Sequence, residues 1–493
     1  MREVVSIHVG QAGIQMGQSL WELYTAEHNL WAEGIPLTAA SPLSESVNGL
    51  FYESSRGRYR PRAIFADCDP DALNSLRSTP FGQSCVSADR IFNSKCSGAS
   101  NFARGFHNRE SVESTTDQTE EGVQNLIRGE LERCDAPAAV HFVHSGSGGA
   151  GGGLTFRLSR ACTLLAASVP QHAFTLMPSP SLYSNIVEVH NFFLSFNEFH
   201  AVAQMQYLFD NEALYDVVRR YKGIEFPSFD DVNEVIARVI SSTTAGSRFP
   251  ASPATTLAEM VEKLTVERQY TALHVITPHY TSIGAIEPRQ VLPSVFDPKT
   301  SLVSQPKEIR KEWTTKRGQR RLKDVHPRYR DDRPMKHHAT CTVVRCTPSL
   351  RDAFTPQLLS TSKAQVRTQF AHAFPPTPCD IHTSIVSNCS IPHTRKQEGA
   401  PPLSPSKSLQ AAKSDPYAVM FSSGSCWRPA FNQMCHDFDV LRCRRAYAHW
   451  FVYEGMEEGE YSEARERVAE VMDGYAELEE EIKPHRFVPK TDS

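Results

Sequence analysis

The sequence predicts an α/β protein: a Rossmann-like, doubly wound parallel-sheet domain, a second α/β domain, and a C-terminal set of helices. Three observations carry this. Short apolar runs alternate with amphipathic stretches over the first 210 residues, glycine-rich turns sit where a run gives way to a stretch, and strong helical periodicity returns near the end of the chain.

Each N-terminal unit is a strand followed by a helix. Val4 to Val9 precedes Ile14 to His28, Arg62 to Phe65 precedes Asp71 to Leu76, and Ala138 to His144 precedes Leu154 to Ala167. Repeated in this way, strands pair in parallel with helices on both faces, and ligands bind in the loops at the carboxyl ends of the strands. From Asn211 to Ala245 the pattern turns helical: Leu214, Val217, Val218, Val232, Val235, Ile236, Val239 and Ile240 fall at helix spacing, which suits a hinge between domains. Ala272 to Ile276 and Ala339 to Val344 read as strands of the second half. Phe438 to Tyr453 and Tyr461 to Glu481 read as two helices, the second with charges between Ala464, Val468, Val471, Met472 and Leu478. The expected division is 1–210, 211–413 and 414–493.

Length and composition narrow the class. At 493 residues and 40% hydrophobic content the chain supports two or three domains, since one core rarely grows past about 250 residues. A formal charge of −4, from 52 basic and 56 acidic side chains, gives no global bias toward nucleic acid or anionic membrane. Met1 to Ser6 lacks an apolar signal core, and no stretch approaches the roughly 20 apolar residues of a spanning helix, so a soluble, non-secreted protein is expected. The 12 cysteines are scattered from Cys68 to Cys443 with no CxxC pair, which fits reduced thiols rather than a disulfide framework or a zinc ribbon. Cys435, His436, Cys443 and His449 cluster, but their spacing matches no common ligand pattern and they read as packing residues.

Two stretches interrupt the second half. Lys307 to Lys336 carries 12 basic against 5 acidic residues, either a solvated insertion or a contact for an acidic surface. Ser390 to Pro416, rich in Pro, Ser and Lys, reads as a loop or linker.

The glycine turns hold the chemistry. Ser145 to Gly153 follows the run Ala139 to Val143 and precedes the helical Leu154 to Leu158, with Ser147, Gly148, Gly149, Ala150 and Gly151 at its centre. A strand, a glycine turn and a helix start gather backbone N–H groups and the positive helix end at one point, which is how anions are held. The GxxxxGK[ST] lysine and the GxGxxG spacing are absent, so neither a P-loop nor a dinucleotide site is indicated. Gly10 to Gly17 repeats the layout one unit earlier, and two such turns in one sheet can converge on a nucleotide's phosphates.

These segments resemble the tubulin family, and the α form most. Met1 to Gln15 is similar to its opening, Ser147 to Gly153 to its GGGTGSG signature, and Arg444 to Trp450 with Glu454 to Glu466 to its C-terminal helices. The resemblance covers roughly residues 1–300 and 417–482.

It implies a tubulin/FtsZ-like GTPase fold with GTP and Mg²⁺ as cofactors. Gln11, Ala12 and Gln15 then match the first phosphate loop. Asp67 and Asp69 match the acidic loop near the γ-phosphate, with Asp69 as metal ligand where the family has Glu. Glu188 matches the ribose contact, and Ser184 is counted among the nucleotide-binding residues. Asn211 and Asn233 match the amides that read guanine, whose edge needs both a donor and an acceptor, and Phe229 stands where the family stacks a tyrosine on the base. Glu259 matches the glutamate that the α form extends across the longitudinal contact to catalyse hydrolysis of its partner's GTP. The resemblance thus implies a microtubule subunit of the cytoplasmic cytoskeleton that pairs with β-tubulin and meets microtubule-associated proteins. It gives a GTPase only as the assembled dimer, the chain's own site being non-hydrolysing. The alternative is a divergent GTP-binding relative that regulates microtubules or stays out of them.

Some positions depart from the family. In Lys95 to Gly105, Cys96 and Ser97 replace two acids and Ser100 replaces an amide. Ala150 replaces a threonine, Ser147 a glycine, and Pro293 falls where the family has a helix, at an expected cost of about 3 kcal/mol outside the first turn. The acidic, tyrosine-ended tail and a lysine between Asn29 and Tyr59 are missing.

Overall fold

The computed structural model of the chain describes residues 3–37, 45–94, 97–107, 120–180, 182–267, 272–284, 286–304, 312–314, 320–322, 336–375, 380–387 and 416–480. The apolar runs become eleven strands of one sheet: β1 (Glu3–Val9), β2 (Ala63–Asp67), β3 (Ile91–Asn93), β4 (Pro137–Ser145), β5 (Gln171–Met177), β6 (Met205–Asp210), β7 (Ala251–Ser252), β8 (Val275–Ser282), β9 (His337–Cys346), β10 (Ile381–Ser387) and β11 (Tyr417–Gly424). Their order is β3-β2-β1-β4-β5-β6-β8-β11-β9-β10-β7. The first six are parallel throughout. The order reverses between β1 and β4, so the chain winds outward in both directions and a crevice opens there, beyond the carboxyl ends of the strands.

The second half of the sheet is mixed. β11 runs antiparallel to β8 and β9, β10 parallel to β9, and β7 antiparallel to β10. The halves join through a short parallel ladder, Gln206 opposite Val275 and Tyr207 opposite Ile276.

Helices cover both faces: α1 (Gly10–Glu27), α2 (Pro70–Ser78), α3 (Phe102–His107), α4 (Thr155–Leu165), α5 (Glu188–Val202), α6 (Asn211–Lys222), α7 (Phe229–Arg248), α8 (Leu257–Leu264), α9 (Pro288–Val295), α10 (Pro356–Gln369), α11 (Arg428–Cys443), α12 (Ala448–Tyr453) and α13 (Glu458–Glu480). On α1, Leu20, Trp21 and Tyr24 are fully buried and share one cluster with Val235, Ile236 and Val239 of α7. Trp21 Nε1 donates to His8 Nε2 at 3.0 Å. Burial holds His8 down to about 3, so it stays a neutral acceptor. The opposite face packs α4 on β1 and β4 through Leu158 and Ala161. The C-terminal helices lie against α5, where Phe192 and Phe193 meet Phe431 and Phe438.

Three expectations change. The helix expected over Phe438 to Tyr453 is two, α11 and α12, because Arg445 and Tyr447 take φ of +49° and +62°. A straight continuation would carry Phe451 away; the reversal buries it completely against His190 and Tyr461. Ala272 to Ile276 is not one strand: Ala272–Leu273 pairs with Val266–Glu267, and β8 starts at Val275. Pro293 lies inside α9 without ending it. The carbonyl that its missing N–H leaves open belongs to Arg289, four residues back, and Ser362 Oγ of α10 donates to it at 3.2 Å. Of the basic stretch 307–336, the short strands 312–314 and 320–322 pair as an antiparallel ladder; most of the rest lies outside the described residues. So do Lys95 and Cys96, nearly all of 390–416, and the tail from 481.

Candidate functional site

Because β1, β2, β4, β5 and β6 are adjacent and parallel, the segments that follow them leave one edge of the sheet. Gln11, Ala12 and Gln15 open α1 after β1; Asp67 and Asp69 close β2; Ser147 to Gly151 follow β4; Ser184 and Glu188 follow β5; Asn211 opens α6 after β6. The turn after β1 and the glycine run after β4 flank the reversal point. Gly10 has φ +73°, and a Cβ on it would lie 3.1 Å from the Gly151 nitrogen, so the two loops touch backbone to backbone.

The glycine run is a π-helical turn, Gly149–Leu154, leading into α4. A Cβ on Gly149 would sit 2.2 Å from the Gly98 oxygen, whereas one on Gly148 meets nothing within 4 Å. The run is therefore clamped behind and open in front. Its conformation is set by Gly151, whose carbonyl accepts from Thr155 Oγ1 at 2.6 Å and from His144 Nδ1 at 2.7 Å. His144 Nε2 then faces Thr175 Oγ1 at 2.9 Å. Burial holds His144 down to about 4, so it is neutral and donates through Nδ1. The Gly152 N–H is spent on the Gly148 carbonyl at 3.0 Å, so the N–H groups that precede it in the turn are the ones suited to meet an anion.

Asn191, on α5, joins the loops. Its Nδ2 donates to the carbonyls of Ser100 and Ser147 at 2.7 and 2.8 Å, and its Oδ1 accepts from the Phe102 N–H at 2.9 Å. Asn101 accepts from the Ala103 and Arg104 N–H groups and donates to the Trp450 carbonyl at 3.1 Å. The departures in this loop thus leave its anchoring amides in place, while Ala99 and Ser100 sit at φ +44° and +53°. Neither amide is prominent in the sequence; the one signal is a polar residue, Asn191, buried among Val189, Phe192 and Phe193.

Two kinds of polar side chain surround the cradle. Asp67 is buried and accepts from the Cys68 and Asp69 N–H groups at 2.7 and 3.3 Å, with burial raising it to about 6; it shapes the turn. Asp210 caps α6 and takes Ser179 Oγ, Ser304 Oγ and the Ser304 and Glu212 N–H groups. Glu188 Oε1 accepts from Ser184 Oγ and from the N–H groups of Ser184 and Asn185. By contrast, the side chains of Gln11, Gln15, Asp69, Asn211 and Asn233 have no hydrogen-bond partner among the described residues. Asn233 is 7% exposed, yet Phe229, one turn earlier on α7, is 61% exposed, its ring 6.4 Å from Tyr215.

This set fits a nucleotide better than a metabolite acid: amides at one end, open glycine N–H groups at the other. Asp69, an exposed carboxylate beside that cradle, suits a hard divalent cation sharing phosphate and water oxygens. Ala150 offers no hydroxyl, so its contribution is backbone alone. Glu259 is not part of this constellation. It follows β7, the strand at the opposite edge of the sheet, is exposed, and closes a capping box at the start of α8, with Thr256 N donating to its Oε2 at 3.0 Å.

Fold and site together define an α/β protein whose glycine loops meet at a sheet reversal and leave a cradle suited to an anion, without a P-loop lysine. Residues 3–219 match the Tubulin/FtsZ family GTPase domain. Over 488 residues, 97% of either chain, the sequence is 29% identical to the tubulin alpha-2 chain of Schizosaccharomyces pombe. It is 28% identical over 488 residues to the tubulin alpha-2 chain of Caenorhabditis elegans and 29% over 483 residues to the tubulin alpha-1 chain of Arabidopsis thaliana, again with 97% of each chain covered. Residues 3–219 thus carry a Tubulin/FtsZ-type GTPase domain, and the chain is similar to α-tubulins over nearly its full length. No helix among the described residues is long and apolar enough to cross a membrane.

Proposed function

We propose that the chain is an α-tubulin-like structural subunit that holds GTP at the carboxyl edge of its parallel sheet and pairs with β-tubulin in cytoplasmic microtubules. The observation that carries this reading is the unpaired set Gln11, Gln15, Asn211 and Asn233 around an open glycine cradle, beside the exposed ring of Phe229. Gln11, Ala12, Gln15 and the N–H groups of Ser147 to Gly151 hold the phosphates, Asp69 takes a share of Mg²⁺, Ser184 and Glu188 position the ribose, and Asn211 and Asn233 read the base. GTP, when bound, supplies the negative charge that completes these donors.

In this reading 1–210 is the GTP-binding domain, 211–413 the intermediate domain and 414–493 the helical region exposed to associated proteins. Hydrolysis belongs to the assembled dimer: Glu259, at the far edge, orients and deprotonates water in the partner's site, while the chain's own GTP is structural.

A second reading, a tubulin-like GTP-binding protein that regulates microtubules or stays outside them, is favoured by the lost acid at Ser97 and the lost hydroxyl at Ala150. Nucleotide extraction from purified protein, with and without β-tubulin, separates the two. Stoichiometric GTP and a stable heterodimer support the subunit. GTP without heterodimer supports the second, and protein empty of nucleotide and indifferent to β-tubulin ends both.

A further inference from the structure

Two imidazoles and a thiol meet inside the second half of the sheet, apart from the nucleotide edge. His279 lies on β8, His337 opens β9, and Cys426 follows β11, the strand between them in the sheet. All three are buried, at 1%, 5% and 3% exposure, and one ligand atom from each lies within 4.8 Å of the others.

The surrounding hydroxyls set the histidine protons. Thr300 Oγ1 gives its hydrogen to the carbonyls of Val295 and Asp297, at 2.8 and 2.7 Å. It therefore accepts from His279 Nδ1, 3.2 Å away, which leaves Nε2 unprotonated. That Nε2 is buried with no hydrogen-bond partner, a bare lone pair inside the core. His337 Nδ1 is likewise engaged by a hydroxyl, Ser422 Oγ at 2.6 Å. An imidazole fixed at one ring nitrogen and free at the other is how metal-ligating histidines are held.

Charge selects the ion. Two neutral imidazoles and one thiolate carry a single negative charge, and burial penalises any net charge that remains. Glu479, the carboxylate whose field reaches Cys426, is already paired with Arg428 at 2.8 Å. A monovalent cation leaves the site neutral, whereas a divalent one leaves it positive and lacks the fourth ligand of a closed zinc site. We propose that His279, His337 and Cys426 form a buried three-coordinate site for monovalent copper, a soft ion that thiolate and imidazole both suit. As the S–Cu bond forms, the S–H bond breaks and the proton leaves to solvent, with no change of oxidation state.

The test is an anaerobic titration of the full-length chain with Cu⁺ buffered by a chromophoric chelator, with X-ray absorption of the loaded protein. One ion per chain, coordinated by one sulfur and two nitrogens, is expected. Cys426→Ser and His279→Asn should each weaken binding about 100-fold or more and Thr300→Val about 10-fold, while Cys346→Ser leaves it unchanged. Circular dichroism identifies any variant that fails to fold, and the remaining ones decide. Wild-type affinity in the folded variants overturns the site. Displacement of Cu⁺ by equimolar Zn²⁺, with zinc uptake lost in the same variants, overturns the monovalent assignment.

Discussion

Glu27, at the end of α1, accepts a hydrogen bond from Arg345 of β9 at 2.8 Å, across 318 residues of sequence. Arg248 Nη1 reaches the other oxygen of the same carboxylate at 2.6 Å, and Ser241 Oγ donates to both at 2.9 Å. The first unit of the N-terminal half, the long helix α7 and the second half of the sheet are thereby locked at one buried point. Burial alone would raise Glu27, but Arg345 and Arg248 outweigh it and hold the carboxyl down to about 2.

That depression gives a pH dependence. The folded value lies below the ordinary carboxylate value of 4.5, so the stabilisation is fully present above about pH 4.5 and is lost as pH falls toward about 2. Glu27→Gln should cost roughly 3 kcal/mol at neutral pH, since two buried guanidinium groups lose their counter-charge, and should flatten the acid limb. Thermal midpoints measured between pH 7 and pH 2.5 check this; parallel acid limbs for both proteins would refute it.

The hydroxyl that repairs α9 is open to a double-mutant cycle. Ser362→Ala should destabilise by about 0.5–1.5 kcal/mol, because it takes the side-chain donor away from the Arg289 carbonyl. In a Pro293→Ala background the helix supplies its own N–H, and the same substitution should cost much less. Equal costs in the two backgrounds would show that Ser362 has another role.

Asn191 positions the loops without being assigned to the nucleotide. Asn191→Ala removes two donors to the Ser100 and Ser147 carbonyls, at about 1 kcal/mol each. GTP should dissociate about 30-fold more readily, as read by nucleotide retention on a desalting column. Retention equal to wild type would mean that the cradle holds its shape unaided.

If Asn233 reads the base, Asn233→Ala should reduce the preference for GTP over ATP by about 10-fold to 100-fold. Phe229→Ala should weaken both nucleotides alike, because stacking is indifferent to the base edge. Competition binding with the two nucleotides distinguishes these effects. An unaltered ratio in the asparagine variant would remove it from the site.

Glu259 closes the α8 capping box, so a test of its proposed catalytic role must respect that contact. Glu259→Ala removes the reciprocal bond of the α8 capping box and should cost up to about 1 kcal/mol; Glu259→Gln keeps that bond and removes only the base. Copolymers of either variant with β-tubulin should assemble yet release phosphate slowly. Normal phosphate release from the glutamine variant would take Glu259 out of catalysis.

The alternation that predicted the parallel sheet was legible because its signals are local: Val4 to Val9 and Ala138 to His144 show strand character within their own length, and the glycine turns announce themselves by composition. Gln11, Asn211 and Asn233 were reached through resemblance, since an isolated amide on a helix carries no mark of what it faces. Asn191, Ser362 and the cluster of His279, His337 and Cys426 left no usable spacing at all. The single helix expected from Phe438 to Tyr453 failed for a related reason: periodicity reports which face of a segment is apolar, not whether a reversal brings Phe451 home.

By itself, the sequence determined the kinds of elements, their order, and the loops able to bind an anion, all set by interactions within a few residues. The tertiary structure alone decided which polar atoms are satisfied by other parts of the chain and which stay open. It paired Glu27 with Arg345 and left the His279 Nε2 bare, because hydrogen bonds and ion pairs depend on ångström-scale proximity that strand order and register create between residues far apart along the chain.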